Sequence, residues 1–88
     1  MEELKEKLEK YIKLTTRALD EIKIKSNEKK AKEILELSKC YYKDALFFKE
    51  KNDLVNAFAA INYAHAFLDI GARLGLFTIK NKELLMVE

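Results

Sequence analysis

Proline and tryptophan are absent from this 88-residue chain, glycine occurs twice, and cysteine and histidine occur once each. Without proline, and with the glycines confined to Gly71 and Gly75, nothing in the first seventy positions interrupts a helix. The lone Cys40 excludes an internal disulfide, and the start lacks the basic, apolar and small-residue succession of a secretory leader, so a cytoplasmic setting is expected. Strand signals are missing as well. An excess of one charge is also lacking: 17 basic and 15 acidic residues leave a net charge of +2, finely mixed, which suits a solvated surface better than a nucleic-acid polyelectrolyte. The most apolar region, Leu54 to Phe77, is interrupted by Asn56, Asn62, His65, Asp69 and Arg73. It therefore falls short of the roughly 18 consecutive apolar residues that a membrane span requires.

What is present is a helix-forming composition of modest size. A chain of this length buries only roughly 60–65% of the surface its unfolded form exposes, so one core in one domain, 1–88, is expected. Lysine and glutamate dominate the charged residues, and Glu3/Lys7, Glu6/Lys10, Glu9/Lys13 and Glu28/Lys32 stand four apart, as surface ion pairs on helices do. Such a surface is the bias seen in hyperthermophiles.

Helical periodicity places three elements. Leu4, Leu8, Tyr11, Thr15, Ala18 and Ile22 recur in alternating steps of four and three, predicting an amphipathic helix over about 2–24. Ser26 and Asn27 are good caps for a second helix over about 27–51, whose inward side carries Ala31, Ile34, Leu35, Ser38, Tyr41, Tyr42, Ala45 and Phe48. Asn52 and Asp53 make a tight turn, with Asp53 capping a third helix over about 53–75 that Gly75 stops in a left-handed conformation. Helix three has two stripes, an inward one through Ala57, Phe58, Ile61, Ala64, His65, Leu68 and Ala72, and a second apolar one roughly opposite through Ala60, Tyr63, Phe67, Ile70 and Leu74. A helix apolar nearly all round is normally central. Its smallest residues, Ala57, Ala60, Ala64, Gly71 and Gly75, fall along one edge that admits a close neighbour. The expected fold is therefore all-α: a three-helix bundle built on an antiparallel hairpin of helices two and three, with a short C-terminal arm, 76–88, folding back onto it.

The run from Tyr41 to Phe77, YYKDALFFKEKNDLVNAFAAINYAHAFLDIGARLGLF, resembles the signature of a small archaeal family of unknown function, number 357 among such domains. The matching positions include Tyr41-Tyr42, Asp44-Ala45, Phe48, Asp53, Tyr63-Ala64, Leu68-Asp69 and Gly71 through Phe77. The resemblance implies a compact helical bundle and an archaeal origin, and brings no activity, cofactor or catalytic residue with it. A weaker similarity links Ala45, Phe48, Asn52, Ala57, Ile61 and Ala64 to one unit of the tetratricopeptide repeat. Such arrays need about three stacked units, so the likeness is one of hairpin packing.

Few residues are candidates for chemistry. His65, Asp69 and Arg73 stand four apart on one side of helix three with Asn62 beside them, and Asp69 could orient His65 for proton transfer. The plainer reading is an Asp69–Arg73 ion pair beside a hydrogen-bonded, partly buried histidine, since no nucleophile or second acid joins them. Metal binding lacks ligands, because Asn62 holds the place three before His65 where bundle metal sites carry a glutamate. No cofactor is expected. Lys23, Lys25, Lys29, Lys30 and Lys32 crowd the first inter-helix turn and could meet phosphates, although without arginine or interleaved aromatics they read more simply as a solvated turn. Cys40, beside Leu37 and Phe47, reads as an inert thiol in a packed edge. Tyr41, Tyr42, Phe48, Phe58 and Phe67 read as core. With two apolar faces on helix three and few elements to cover them, a homodimer is expected, with Phe47, Tyr63, Phe67, Ile70 and Leu74 at or near the contact. The function reading is a non-enzymatic interaction or scaffold module, the alternative being nucleic-acid binding through the lysine-rich turn.

Overall fold

The computed structural model describes residues 2–24 and 29–79. In chain order these form α1 (Glu2–Glu21), β1 (Lys23–Ile24), α2 (Lys29–Glu50), α3 (Leu54–Arg73) and β2 (Phe77–Thr78). The all-α three-helix bundle is what periodicity predicts. α3 packs along both other helices, most extensively on α2, whereas α1 and α2 meet only along a narrow seam.

Local chemistry accounts for the helix ends. At the end of α2, Asn52 takes the left-handed region at φ 60°, its N–H reaching Lys49 O at 2.9 Å and that of Asp53 reaching Phe48 O at 2.8 Å. Two carbonyls that the helix end would orphan are thereby satisfied. Asp53 then caps α3, its carboxylate accepting from the Asn56 backbone N–H at 3.3 Å and from Asn56 Nδ2 at 2.7 Å. The same closing motif ends α3: Gly75 lies at φ 76°, the Gly75 N–H donates to Ala72 O at 3.1 Å and the Leu76 N–H to Gly71 O at 2.9 Å. On α1, Glu2 and Glu3 sit in the first turn, where their charge complements the helix dipole, and Glu3 meets Lys7 at 3.8 Å between exposed side chains.

Two boundaries differ from expectation, and one cause explains both. α1 stops at Glu21 rather than near Ile24, and the arm after Gly75 begins as a strand, because Lys23 and Ile24 pair antiparallel with Thr78 and Phe77. Burial alternates in both stretches: Ile22 and Ile24 are half-buried around exposed Lys23, while Phe77 and Ile79 are buried around exposed Thr78. Such alternation is a strand signal. It is too short to stand out from the sequence, so the expectation that strand signals are missing is corrected. The arm folds back onto the bundle as expected over its first residues; Leu84, Leu85 and Val87 lie outside the described residues, as do Lys25 and the expected caps Ser26 and Asn27.

The core divides into two apolar clusters with a polar belt between them. Leu8, Ile12, Ala45, Ala57, Ile61 and Ala64 form the first, and Ala18, Leu35, Leu68, Phe77 and Ile79 the second. Between them Thr15 of α1, Ser38 of α2 and His65 of α3 are all fully buried. Each has a partner: Thr15 Oγ1 lies 3.0 Å from His65 Nδ1, and Ser38 Oγ donates to Ala64 O at 2.7 Å. At the flank, Thr16 Oγ1 donates to Ile12 O at 2.8 Å and sits 2.6 Å from the Tyr42 hydroxyl. Buried polar groups are tolerated only when satisfied in this way, and a satisfied belt fixes the helices in one register.

Candidate functional site

The four polar residues of α3 separate. His65 is fully enclosed and turned toward α1, where Thr15 meets it. Asp69 is 6% exposed and forms an ion pair through Oδ1 with Arg73 Nε one turn further on. Asn62 Nδ2 donates to Phe58 O at 3.0 Å, within its own helix. Helical spacing puts all four on one side, but the bundle encloses the imidazole, and the carboxylate is paired with a guanidinium. Asp69 therefore belongs to the interior of the bundle, and Arg73 stays at its surface. Among the described residues no group of three or more His, Cys, Asp and Glu side chains could hold a metal ion.

The lysines stay at the surface. Lys23, Lys29, Lys30 and Lys32 are exposed at the end of the molecule where β1 and the start of α2 lie; Lys25 is outside the described residues. Lys29 and Lys32 share an open groove with Glu33 and Glu36, so acids offset the cations there. Cys40 lines the same groove beside Leu37 and is exposed, not packed as expected.

The candidate interface forms a continuous feature on α3. A step of 100° per residue puts Tyr63 on the far side of α3 from His65 and from Phe58, whose ring stacks on Tyr11 of α1 at 5.6 Å. There Tyr63 is 58% exposed, Ile70 49% and Leu74 69%, with Phe67 half-buried in the same stripe. Tyr41 of α2 joins them, its ring stacked on Tyr63 at 5.3 Å and on Phe67 at 5.8 Å, so three rings bridge the hairpin on the face that α1 leaves open. Phe47 is also exposed but sits near the α2–α3 turn, against the edge of the Phe48 ring at 5.7 Å and under Lys51 Nζ at 5.6 Å. Sequence reasoning passed over Val55, which is 63% exposed on α3, and Tyr41, assigned to the core. One signal marks this face: no Asp, Glu, Lys or Arg occurs from Leu54 to Leu68, so the outward residues Val55, Asn56, Ala59, Tyr63 and Ala66 are uncharged. The exposed sides of α1 and α2 are rich in lysine and glutamate instead.

The helical hairpin with this face lies within residues 10–77, which match the model of a family described as "Protein of unknown function (DUF357)". The chain belongs to that family. The match takes in most of α1, both helices of the hairpin and the start of β2, and so spans all three elements that build the polar belt. Comparisons with curated proteins and with solved structures returned no match. No helix among the described residues of this family member is long and apolar enough to cross a membrane.

Proposed function

We propose that the protein is a non-enzymatic helical interaction module that docks through the face of the α2–α3 hairpin opposite α1. The observation that carries this reading is the uncharged, apolar outer side of α3, with Tyr63, Ile70 and Leu74 half exposed or more beside the row of three rings. A soluble surface rarely leaves so many large apolar side chains contiguous unless something covers them. Aromatic residues at the centre of such a patch are the usual anchors of a protein interface. Burial of His65 and pairing of Asp69 support a non-enzymatic role, and the exposed single Cys40 fits a reducing, cytoplasmic compartment.

The test is a photo-crosslinking residue placed at Tyr63 or Ile70 in the native cell, with Arg17 on the exposed side of α1 as control. Covalent protein adducts at 63 and 70 and none at 17 are the expected result. Equal yields at all three positions, or none, would overturn the reading.

The second reading, nucleic-acid binding, is favoured by the exposure of Lys23, Lys29, Lys30 and Lys32 at one end of the molecule, and disfavoured by Glu33 and Glu36 beside them. It requires duplex affinity that falls steeply with salt and weakens on charge reversal at Lys29 and Lys30. The interaction-module reading expects no mobility shift even at low salt.

A further inference from the structure

We infer that the occupant of this face is a second copy of the chain, packed α3 against α3 in antiparallel orientation about a two-fold axis close to Tyr63 and Ala66; the inference rests on the docking face proposed above. An occupant selected by charge is ruled out by the face itself, which is uncharged over the outward residues from Val55 to Ile70. The matching surface therefore has to be uncharged and apolar too. Among the described helices α3 carries the uncharged side, whereas the exposed Leu37, Leu46 and Phe47 of α2 stand among lysines and acids and the exterior of α1 is rich in lysine and glutamate.

Size complementarity points the same way. Along the outer side of α3 larger and small residues alternate through Val55, Ala59, Tyr63, Ala66 and Ile70, and Leu74 follows at helical spacing. Turning a second helix end for end about a point between positions 63 and 66 sets Tyr63 over the other copy's Ala66 and Ile70 over its Ala59. Tyr63 and Ile70 then each enter the gap left by an alanine, as close helix packing requires, and Val55 meets Leu74 at the two ends of the contact. In a parallel arrangement Tyr63 would meet Tyr63 and Ala66 would meet Ala66, leaving clashes beside voids.

Charge at the ends agrees. Asp53 caps the start of α3 and Arg73 closes its last turn. The antiparallel pairing brings each copy's Arg73 to the Asp53–Asn56 end of the other and opposes the two helix dipoles, whereas a parallel pairing sets like charge against like. A two-fold contact using the same patch twice is the commonest way for such a surface to close.

The experiment uses the purified full chain. Light scattering at micromolar concentration is expected to report twice the 10.3 kDa chain mass. Ala66→Asp places two like charges near the axis and should raise the dimer Kd by about a hundredfold or more with the helical content retained, since Ala66 is exposed in the single chain. In a Cys40→Ser background, Ala66→Cys should give a disulfide-linked dimer on mild oxidation. Ala59→Cys should not, because antiparallel pairing holds the two copies of position 59 about 16 Å apart along the axis, beyond disulfide reach. Crosslinking through position 59, whether or not 66 also crosslinks, would overturn the antiparallel arrangement. A 10.3 kDa particle over the whole concentration range would overturn the second copy as occupant. In that event the photo-crosslinks at Tyr63 decide separately whether the docking face itself survives.

Discussion

At Gly71 any other residue would drive its Cβ into the ring of Phe77, which is 1% exposed and belongs to the second core cluster. The small edge of α3 thus serves two neighbours, with Ala57, Ala60 and Ala64 in the core and Gly71 receiving the returning chain. Helix propensity alone makes Gly71→Ala favourable by about 0.8–1 kcal/mol. Overlap with a packed ring costs about 1–3 kcal/mol, so the net change measured by urea unfolding should be destabilising, and Phe77→Leu in the same background should recover part of it. A stabilised Gly71→Ala would show that Phe77 does not rest there. Gly75 offers a contrast, because a Cβ there meets nothing but its φ of 76° is left-handed. Gly75→Ala should therefore cost about 1–2 kcal/mol through the backbone alone, and Phe77→Leu should recover none of it.

Between elements, the belt of Thr15, Ser38 and His65 and the small-residue seam do different work. Thr15→Val removes the oxygen 3.0 Å from His65 Nδ1 inside a fully buried site, for an expected loss of about 1–3 kcal/mol. Thr15→Val combined with His65→Leu should lose less than the sum of the two single changes, by about 0.5–3 kcal/mol in a double-mutant cycle. Strict additivity would mean the two side chains do not stabilise each other. The seam is tested by volume: Ala64 is fully buried near Ser38, so Ala64→Leu should destabilise by about 1–3 kcal/mol, whereas Ala66→Leu, at an exposed position, should leave the melting temperature of dilute protein nearly unchanged. Equal melting temperatures for the two would contradict the orientation of α3. The element boundaries show how far local pattern reaches. The caps at Asp53 and Gly75 are legible because side-chain chemistry and φ preference act within a few residues. The end of α1 is not, because Ile24 leaves the helix to pair with Phe77, a partner from the far end of the fold.

For the whole molecule, association should appear as linkage. If two copies share the α3 face, the melting temperature should rise with protein concentration across the micromolar range, and the rise should vanish in Ala66→Asp. A melting temperature independent of concentration would count against the dimer. The sequence by itself determined the all-α class, the three helices to within about three residues at each described end, and the central place of α3, because hydrophobic period, capping residues and turn residues are written locally. It also determined that His65, Asp69 and Arg73 share a side of one helix. The Asp69–Arg73 pair, local to one helix, was legible as well; only the tertiary structure decided that His65 is fully buried and meets Thr15, fifty positions away. It likewise decided that Tyr41 of α2 leaves the core to join the open stripe of α3, and that Phe77 comes to rest on Gly71. The physical reason is that periodicity states which face a residue occupies, whereas what covers that face depends on elements distant in the chain, and their approach is settled by packing.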